Sequence, residues 1–166
     1  MSTDRSVVRD GVTVGLIAYA AVALFYAAFD LLAARGLLHT VDLLGKAVFR
    51  GLRDPAVLQL PIEPDMGAIF WYNGLHLVMS LLIGMVVVRL IVQAERHPEQ
   101  ARVVLAILIA GFVVTVVAVG ALTAPIRPLL PWWSFVVANL VAVAVAGIYL
   151  VRRRPGVTGR LLASPA

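Results

Sequence analysis

Residues 103–124 read VVLAILIAGFVVTVVAVGALTA, a run without a single charged side chain. An α-helix needs about 20 predominantly apolar residues to cross the hydrocarbon core of a bilayer. Three further runs reach this length, at residues 12–34, 68–92 and 132–151. Their apolar residues are nearly continuous, whereas a barrel strand would alternate apolar and polar positions. The sequence therefore predicts an all-α integral membrane protein, a four-transmembrane-helix bundle that forms one membrane domain over residues 1–166.

The composition supports this prediction and excludes several classes of chemistry. Of the 166 residues, 61% are hydrophobic and 14% are charged, against about 45–50% and about 25% in soluble domains. A domain of this size has too little interior to bury so much apolar surface in water. The chain contains no Cys, which excludes disulfides, thiolate metal sites, Fe–S clusters and covalent haem attachment.

Basic residues cluster at the ends of the apolar runs, and 13 of the 14 are Arg. We interpret them as topology signals and not as a nucleic-acid surface, because they form no stripe on a polar domain. Nine lie on the side shared by the N-terminus, the middle connector and the tail at 152–166, and five lie on the other side. The positive-inside rule then predicts the inner (plasma) membrane, with both termini cytoplasmic. The first run continues to Ala34, too long for the core of a cleavable signal peptide.

The outer connector, residues 35–67, contains a helical pattern of its own. Between Thr40 and Leu52, apolar residues recur at helical spacing and charged residues occupy other positions. The apolar set is Val41, Leu44, Val48 and Leu52, and the charged set is Asp42, Lys46, Arg50 and Arg53. This pattern predicts a short amphipathic helix on the outer membrane surface. Such a helix either covers the end of the bundle or binds a partner.

Polar side chains within the spans are costly in lipid, so each is a candidate for function. The candidates for ligand or ion binding all lie in the predicted outer half: Asp30, Asn73, His76, Asn139 and Thr123. We expect Asp30 to accept a hydrogen bond from His76, and the asparagines to supply donors and acceptors. Three interpretations stay open: an interhelical hydrogen-bond clasp, a ligand or cofactor site, and a path for a proton or cation. A path lacks a visible relay in the predicted inner half, which is apolar apart from Tyr19, Tyr149 and an Arg89 that can reach the cytoplasmic surface.

Haem is the one cofactor that the residues suggest, with His76 as an axial ligand. His76 is the only His within a span, and His39 lies beyond the end of the first. A second His ligand would therefore require the connector to fold back into the membrane. No metal-site, nucleotide-binding, protease or hydrolase motif is present, so the sequence gives no support for an enzyme.

Small residues recur every fourth position on two spans. They form ridges at Ala138, Ala142 and Ala146 and at Ser80 and Gly84, and such ridges let helix backbones approach closely. The ridges either pack within the chain or bind a membrane-protein partner or a second copy. Besides the lipid bilayer itself, we expect lipid head groups to contact four arginines: Arg127, Arg152, Arg153 and Arg154.

These patterns predict that the protein lies in a membrane, but they leave two alternatives for its function. We predict a non-catalytic polytopic membrane protein that is a structural or accessory component of a larger membrane assembly. The alternative is a protein that binds a small ligand, cofactor or ion, or transports a proton or cation, at the polar cluster in the outer half.

Overall fold

The computed structural model describes residues 2–58 and 63–154, with side chains from Arg5 onwards. It contains five α-helices: α1 (Ser2–Leu32), α2 (His39–Phe49), α3 (Met66–Arg96), α4 (Ala101–Leu122) and α5 (Trp132–Arg153). Short 3-10 turns at Pro98–Gln100 and Ala124–Ile126 flank α4, and the described segments contain no strand. Part of the predicted outer connector, residues 59–62, and most of the predicted tail, residues 155–166, lie outside the described residues.

The predicted fold class is confirmed. Four helices are long and apolar enough to cross a membrane, with α4 extended by the 3-10 turn before it. Both α1 and α3 have 31 residues, or about 46 Å at 1.5 Å per residue, against a hydrocarbon core of about 30 Å. Their ends therefore project beyond the apolar layer, and the charged contacts of the molecule lie there. The side of the membrane on which each end lies stays a prediction.

Helix α1 packs against both α3 and α5. Its closest approach is to α3, where Gly11 and Gly15 of α1 meet Gly84. A Cβ added at Gly84 would stand 2.5 Å from the Gly11 carbonyl oxygen, and one added at Gly15 would stand 2.7 Å from the Ser80 carbonyl oxygen. The predicted Ser80 and Gly84 ridge thus packs inside the chain. Its partner is a Gly-x-x-x-Gly motif on α1 that the sequence analysis did not single out.

The second predicted ridge is also buried within the chain. Ala138, Ala142 and Ala146 are all buried on α5. Ala146 packs in an apolar cluster with Val14 of α1 and Val88 of α3. Because the chain's own helices occupy both ridges, neither presents a free surface to a partner or a second copy. Of the two alternatives for these ridges, the structure shows packing within the chain, and contact with a partner or a second copy stays a prediction.

Helix α4 lies at the edge of the bundle. Only Ala101 and Val104 are buried on it, both in its first turn. They pack with Ala94 near the end of α3, while Val119 packs against a cluster that contains Ile126 in the following turn. Most of the helix between these two attachments is exposed. Helices α1, α3 and α5 therefore share the central apolar cluster. Helix α4 contacts them through its first two turns, where Leu108 packs against that cluster, and through Val119 near its end.

Helix α2 covers one end of the bundle, called here the α2 end. Leu43, Leu44 and Ala47 pack in an apolar cluster with Leu130 and Phe135. The helix also contacts the start of α3, where a Cβ at position 45 would stand 2.5 Å from a backbone carbonyl oxygen. The predicted short helix is confirmed, in the role of a cover for the bundle end.

The predicted faces of α2 are right for Leu44, which is buried, and for Arg50 and Arg53, which are exposed, but they are wrong for four other residues. Asp42 and Lys46, assigned to its polar face, are 3% and 7% exposed, whereas Val48 and Leu52, assigned to its apolar face, are exposed. The Lys46 Nζ lies 2.7 Å from an Asp42 carboxylate oxygen. Two opposite charges one helical turn apart neutralise each other and can be buried together where hydrogen bonds satisfy them.

Candidate functional site

Asp30, the predicted acidic site residue, joins α1 to α2. Its two carboxylate oxygens accept hydrogen bonds from the Thr40 backbone N–H at 2.7 Å and from the Thr40 hydroxyl at 2.6 Å. The carboxylate is 1% exposed and satisfies an N–H in the first turn of α2, where no intrahelical acceptor exists. It does not accept from His76, which lies ten residues into α3, about 15 Å below Met66 along the helix.

His76 lies instead among aromatic side chains. Its ring is 5.3 Å from the ring of Tyr19 on α1 and 6.4 Å from that of Tyr72, one turn earlier on α3, both edge to face. The Tyr19 hydroxyl donates to the Asn73 carbonyl oxygen at 3.1 Å. We call Tyr19, Tyr72, Asn73 and His76 the His76 cluster. It connects α1 and α3 within the span.

Within the His76 cluster, Tyr19 and Asn73 make hydrogen bonds to the chain. Asn73 uses both ends of its amide, because its nitrogen also donates to the Ile69 carbonyl oxygen at 2.9 Å. Within the described part of the chain, neither the His76 ring nitrogens nor the Tyr72 hydroxyl makes a hydrogen bond. Both residues are partly exposed.

The two remaining candidates bond to their own helices. The Asn139 side-chain nitrogen donates to the Phe135 carbonyl oxygen at 2.8 Å, and the Thr123 hydroxyl donates to the Val119 carbonyl oxygen at 2.7 Å. Such bonds to the preceding turn satisfy a polar side chain locally. Of the five predicted site residues, the structure thus brings together only Asn73 and His76.

Tyr19 and Tyr72 are the cluster residues that sequence reasoning missed. Tyr19 had been assigned to the inner half of its span, away from His76. The contacts of the glycines explain why Tyr19 lies beside His76. Gly15 meets Ser80 where the antiparallel helices cross, so Tyr19, one turn further along α1, reaches the level of His76, one turn earlier on α3.

A second polar group lies at the opposite end of the bundle, called here the Arg154 end. Arg154 donates to the carboxylate of Asp10 at 2.8 Å and to that of Glu95 at 2.7 Å. Asp10 is 2% exposed, and the Arg153 guanidinium lies 3.7 Å from it. This contact joins α1, α3 and α5. The structure thus gives Arg154 two carboxylate partners within the chain, and its contact with a lipid head group stays a prediction.

The other three arginines predicted to meet head groups are exposed. Arg127 lies in the turn between α4 and α5, and Arg152 and Arg153 lie in the last turn of α5. Exposure at a helix end is what a head-group contact requires. For these three residues that role stays a prediction.

A third polar group holds the start of α3 against α2. The Lys46 ammonium donates to the Asp42 carboxylate and to the Glu63 carbonyl oxygen. Asp42 also accepts from the Asp65 backbone N–H at 2.8 Å. The Arg50 guanidinium lies 2.8 Å from the Asp65 carboxylate and holds the pKa of that carboxyl well below its usual range. These contacts fix the chain as it enters α3.

The described residues contain no group of three His, Asp or Glu side chains that could hold a metal ion. His39 belongs to α2, so this part of the chain brings no second His beside His76 for a bis-histidine haem. A haem at His76 would also have to displace the rings of Tyr19 and Tyr72 that cover it.

Among known proteins, no family model, no curated protein and no solved structure matches the chain.

Proposed function

We propose that the chain is a non-catalytic accessory or structural component of a larger membrane assembly. The observation that carries the proposal is the packing of α4, the most hydrophobic of the four spans, which buries only Ala101 and Val104 against its own chain. The polar candidates Asp30, Asn139 and Thr123 are used for contacts within the chain. The molecule thus supplies a rigid three-helix unit and one nearly unpacked helix.

The exposed surface of α4 has features that suit contact with another membrane helix. Ala106, Ala110 and Gly111 are exposed, and nothing lies within 4 Å of the position that a Cβ of Gly111 would take. Small residues at four-residue spacing let two helices approach closely in lipid, where dispersion forces stabilise the contact. Since both other ridges are buried in the chain, the small residues of α4 are the ones we assign to contact with a partner.

The test uses two glycines with equal free space around them. Gly111 of α4 and Gly74 of α3 are both exposed and have no atom within 4 Å of a built Cβ. We expect Gly111→Leu to release the tagged chain from a larger complex in mildly solubilised native membranes, and Gly74→Leu to leave the complex intact. Native electrophoresis measures the mass of the complex. Recovery of the wild-type chain as a lone monomer would refute the proposal.

A second candidate function rests on the His76 cluster. The His76 ring and the Tyr72 hydroxyl face no hydrogen-bond partner in the described chain, although burial of unpaired polar groups in lipid is costly. A small lipid-soluble ligand with polar groups at one end would satisfy both. The span leaves His76 partly exposed at its side, so such a ligand could enter from the bilayer.

The ligand test compares His76 with Asn139, a polar residue that bonds only to its own helix. Purified His76→Ala, Asn139→Ala and wild-type protein are examined by absorbance, by metal analysis and by organic extraction with mass spectrometry. We expect a ligand that copurifies with wild type and Asn139→Ala and is lost from His76→Ala. Unchanged ligand content in His76→Ala would exclude this second function.

A further inference from the structure

A cleft of about 300 Å³ opens at the α2 end, beside the turn that joins α1 to α2. This volume is at the lower limit of small-molecule sites, which is about 300 Å³. The residues that line the cleft come from the turn, from the start of α2 and from the chain before α3: Arg35, Gly36, Leu37, Leu38, His39, Asp42 and Pro64. The cleft lies where the spans α1 and α3 end, at the boundary of the apolar layer.

Arg35 is the unpaired charge of the cleft. One of its guanidinium nitrogens donates to the Leu129 carbonyl oxygen at 3.1 Å, which fixes the side chain across the bundle end. No carboxylate of the described residues lies within ion-pair distance of it. The remaining guanidinium donors therefore have no acidic partner, and a guanidinium binds planar or tetrahedral oxyanions through paired hydrogen bonds.

The acidic residues near the cleft are already satisfied. Asp42 lines it, but its carboxylate is bound by the Lys46 ammonium and by the Asp65 N–H. Asp30 is buried and bound twice by Thr40. Neither carboxylate offers a free oxygen to Arg35, so these acids leave the positive charge of Arg35 available to a ligand.

Two exposed leucines, Leu37 and Leu38, line the cleft, and two more precede it in the chain at the end of α1. Leu31 and Leu32 at the end of α1, and Leu37 and Leu38 in the turn, are all exposed, Leu32 to 89%. Apolar side chains at the end of a membrane span contact acyl chains. A positive group beside exposed leucines at this depth matches an amphipathic molecule with an anionic head and an apolar tail.

We propose that the cleft binds the phosphate of an anionic phospholipid, with the Arg35 guanidinium as its principal donor and the leucines as the surface for its acyl chains. The His39 imidazole, which also lines the cleft, supplies a second donor to the head group. The lipid would thereby connect α1, the start of α2 and, through the Leu129 carbonyl, the turn between α4 and α5.

Native mass spectrometry of the full chain in a neutral detergent tests this proposal. The protein is incubated with phosphatidylglycerol, with phosphatidylcholine or with inorganic phosphate. We expect one retained phosphatidylglycerol on the wild-type chain and about tenfold lower apparent affinity for Arg35→Gln, the usual scale for loss of one charge-assisted contact. Arg53→Gln is the matched control, because Arg53 is an exposed arginine at the same end and lies outside the cleft.

The controls separate a built site from general attraction of anions. Arg35→Lys keeps the charge but loses the paired donors, so we expect its affinity to lie between those of the wild type and Arg35→Gln. Circular dichroism of each variant verifies that it is folded. The proposal is overturned if Arg53→Gln loses as much lipid as Arg35→Gln, if phosphatidylcholine binds as tightly as phosphatidylglycerol, or if inorganic phosphate displaces the lipid at equal concentration. A folded Arg35→Gln variant with wild-type affinity would overturn it as well.

Discussion

Replacement of Gly84 by Ala should weaken the contact between α1 and α3 more than any other single methyl group added to the spans. The new Cβ would stand 2.5 Å from the Gly11 carbonyl oxygen and from the Gly15 nitrogen, and 2.8 Å from the Gly15 Cα. All three are backbone atoms and cannot rotate away. Restoring an ordinary contact of 3.4 Å requires the two helices to separate by about 0.9 Å along this line.

The cost follows from that separation. A gap of about 0.5–1 Å forfeits a quarter to a half of the dispersion energy of each atom pair that loses contact, and overpacked positions cost about 1–3 kcal/mol. The higher helix propensity of Ala returns about 1 kcal/mol at most. We therefore expect Gly84→Ala to lower the free energy of unfolding by up to about 2 kcal/mol, and to be about 1–3 kcal/mol less stable than a Gly→Ala variant that gains the same helix propensity without a clash.

Gly74→Ala supplies the control on the same helix, since nothing lies within 4 Å of a Cβ at that position. It receives only the favourable helix-propensity change, up to about 1 kcal/mol. Unfolding in mixed detergent micelles, followed by circular dichroism, gives the two midpoints. Equal stability of Gly84→Ala and Gly74→Ala would refute the close backbone contact and the helix register built on it.

Three further outcomes are expected from the two ends of the bundle. Arg154→Gln removes the guanidinium that Asp10 and Glu95 share, and we expect it to lower the free energy of unfolding by about 3 kcal/mol. The same unfolding assay measures this change, and a value below about 1 kcal/mol would contradict the prediction. Burial lowers the pKa of His39, so its contribution to the free energy of unfolding is full above the unfolded pKa of about 6.5 and declines as the pH falls below it. We expect His39→Gln to lose less stability than the wild type between pH 7.5 and pH 5. An identical loss in the two proteins would refute this. Gly36 has φ 86, so Gly36→Ala should cost about 1–2 kcal/mol from the backbone alone, and an unchanged midpoint would refute a left-handed turn at this position.

The spans could be predicted from the sequence because length and hydropathy alone determine them. Every residue of the run at 103–124 contributes to that signal, and one misassigned position changes nothing. The ends were less well predicted, since α1 begins ten residues before its predicted span and contains Asp10. A buried carboxylate in the first turns of a span needs a cationic partner, and the arginine that donates a hydrogen bond to Asp10, Arg154, lies far along the chain.

The polar contacts were harder to predict because they depend on the path of a connector. Asp30 and His76 have similar predicted depths, but depth does not fix the side of the helix on which each lies. Thr40 becomes the partner of Asp30 because the turn with Ala34 and Gly36 at positive φ reverses the chain. The burial of Asp42 and Lys46 on α2 was missed for a different reason. The two charges neutralise each other, whereas a hydropathy pattern counts each of them as a polar, exposed residue.

The contact of Arg154 with Asp10 also has a consequence for biosynthesis. The two residues are 144 positions apart, so Asp10 and Glu95 are inserted or held near the membrane long before the ribosome reaches Arg154. Until then the hydrogen bonds that join Asp10 and Glu95 through one guanidinium cannot form. Synthesis of the end of α5 therefore completes the contact between α1, α3 and α5 at this end of the bundle.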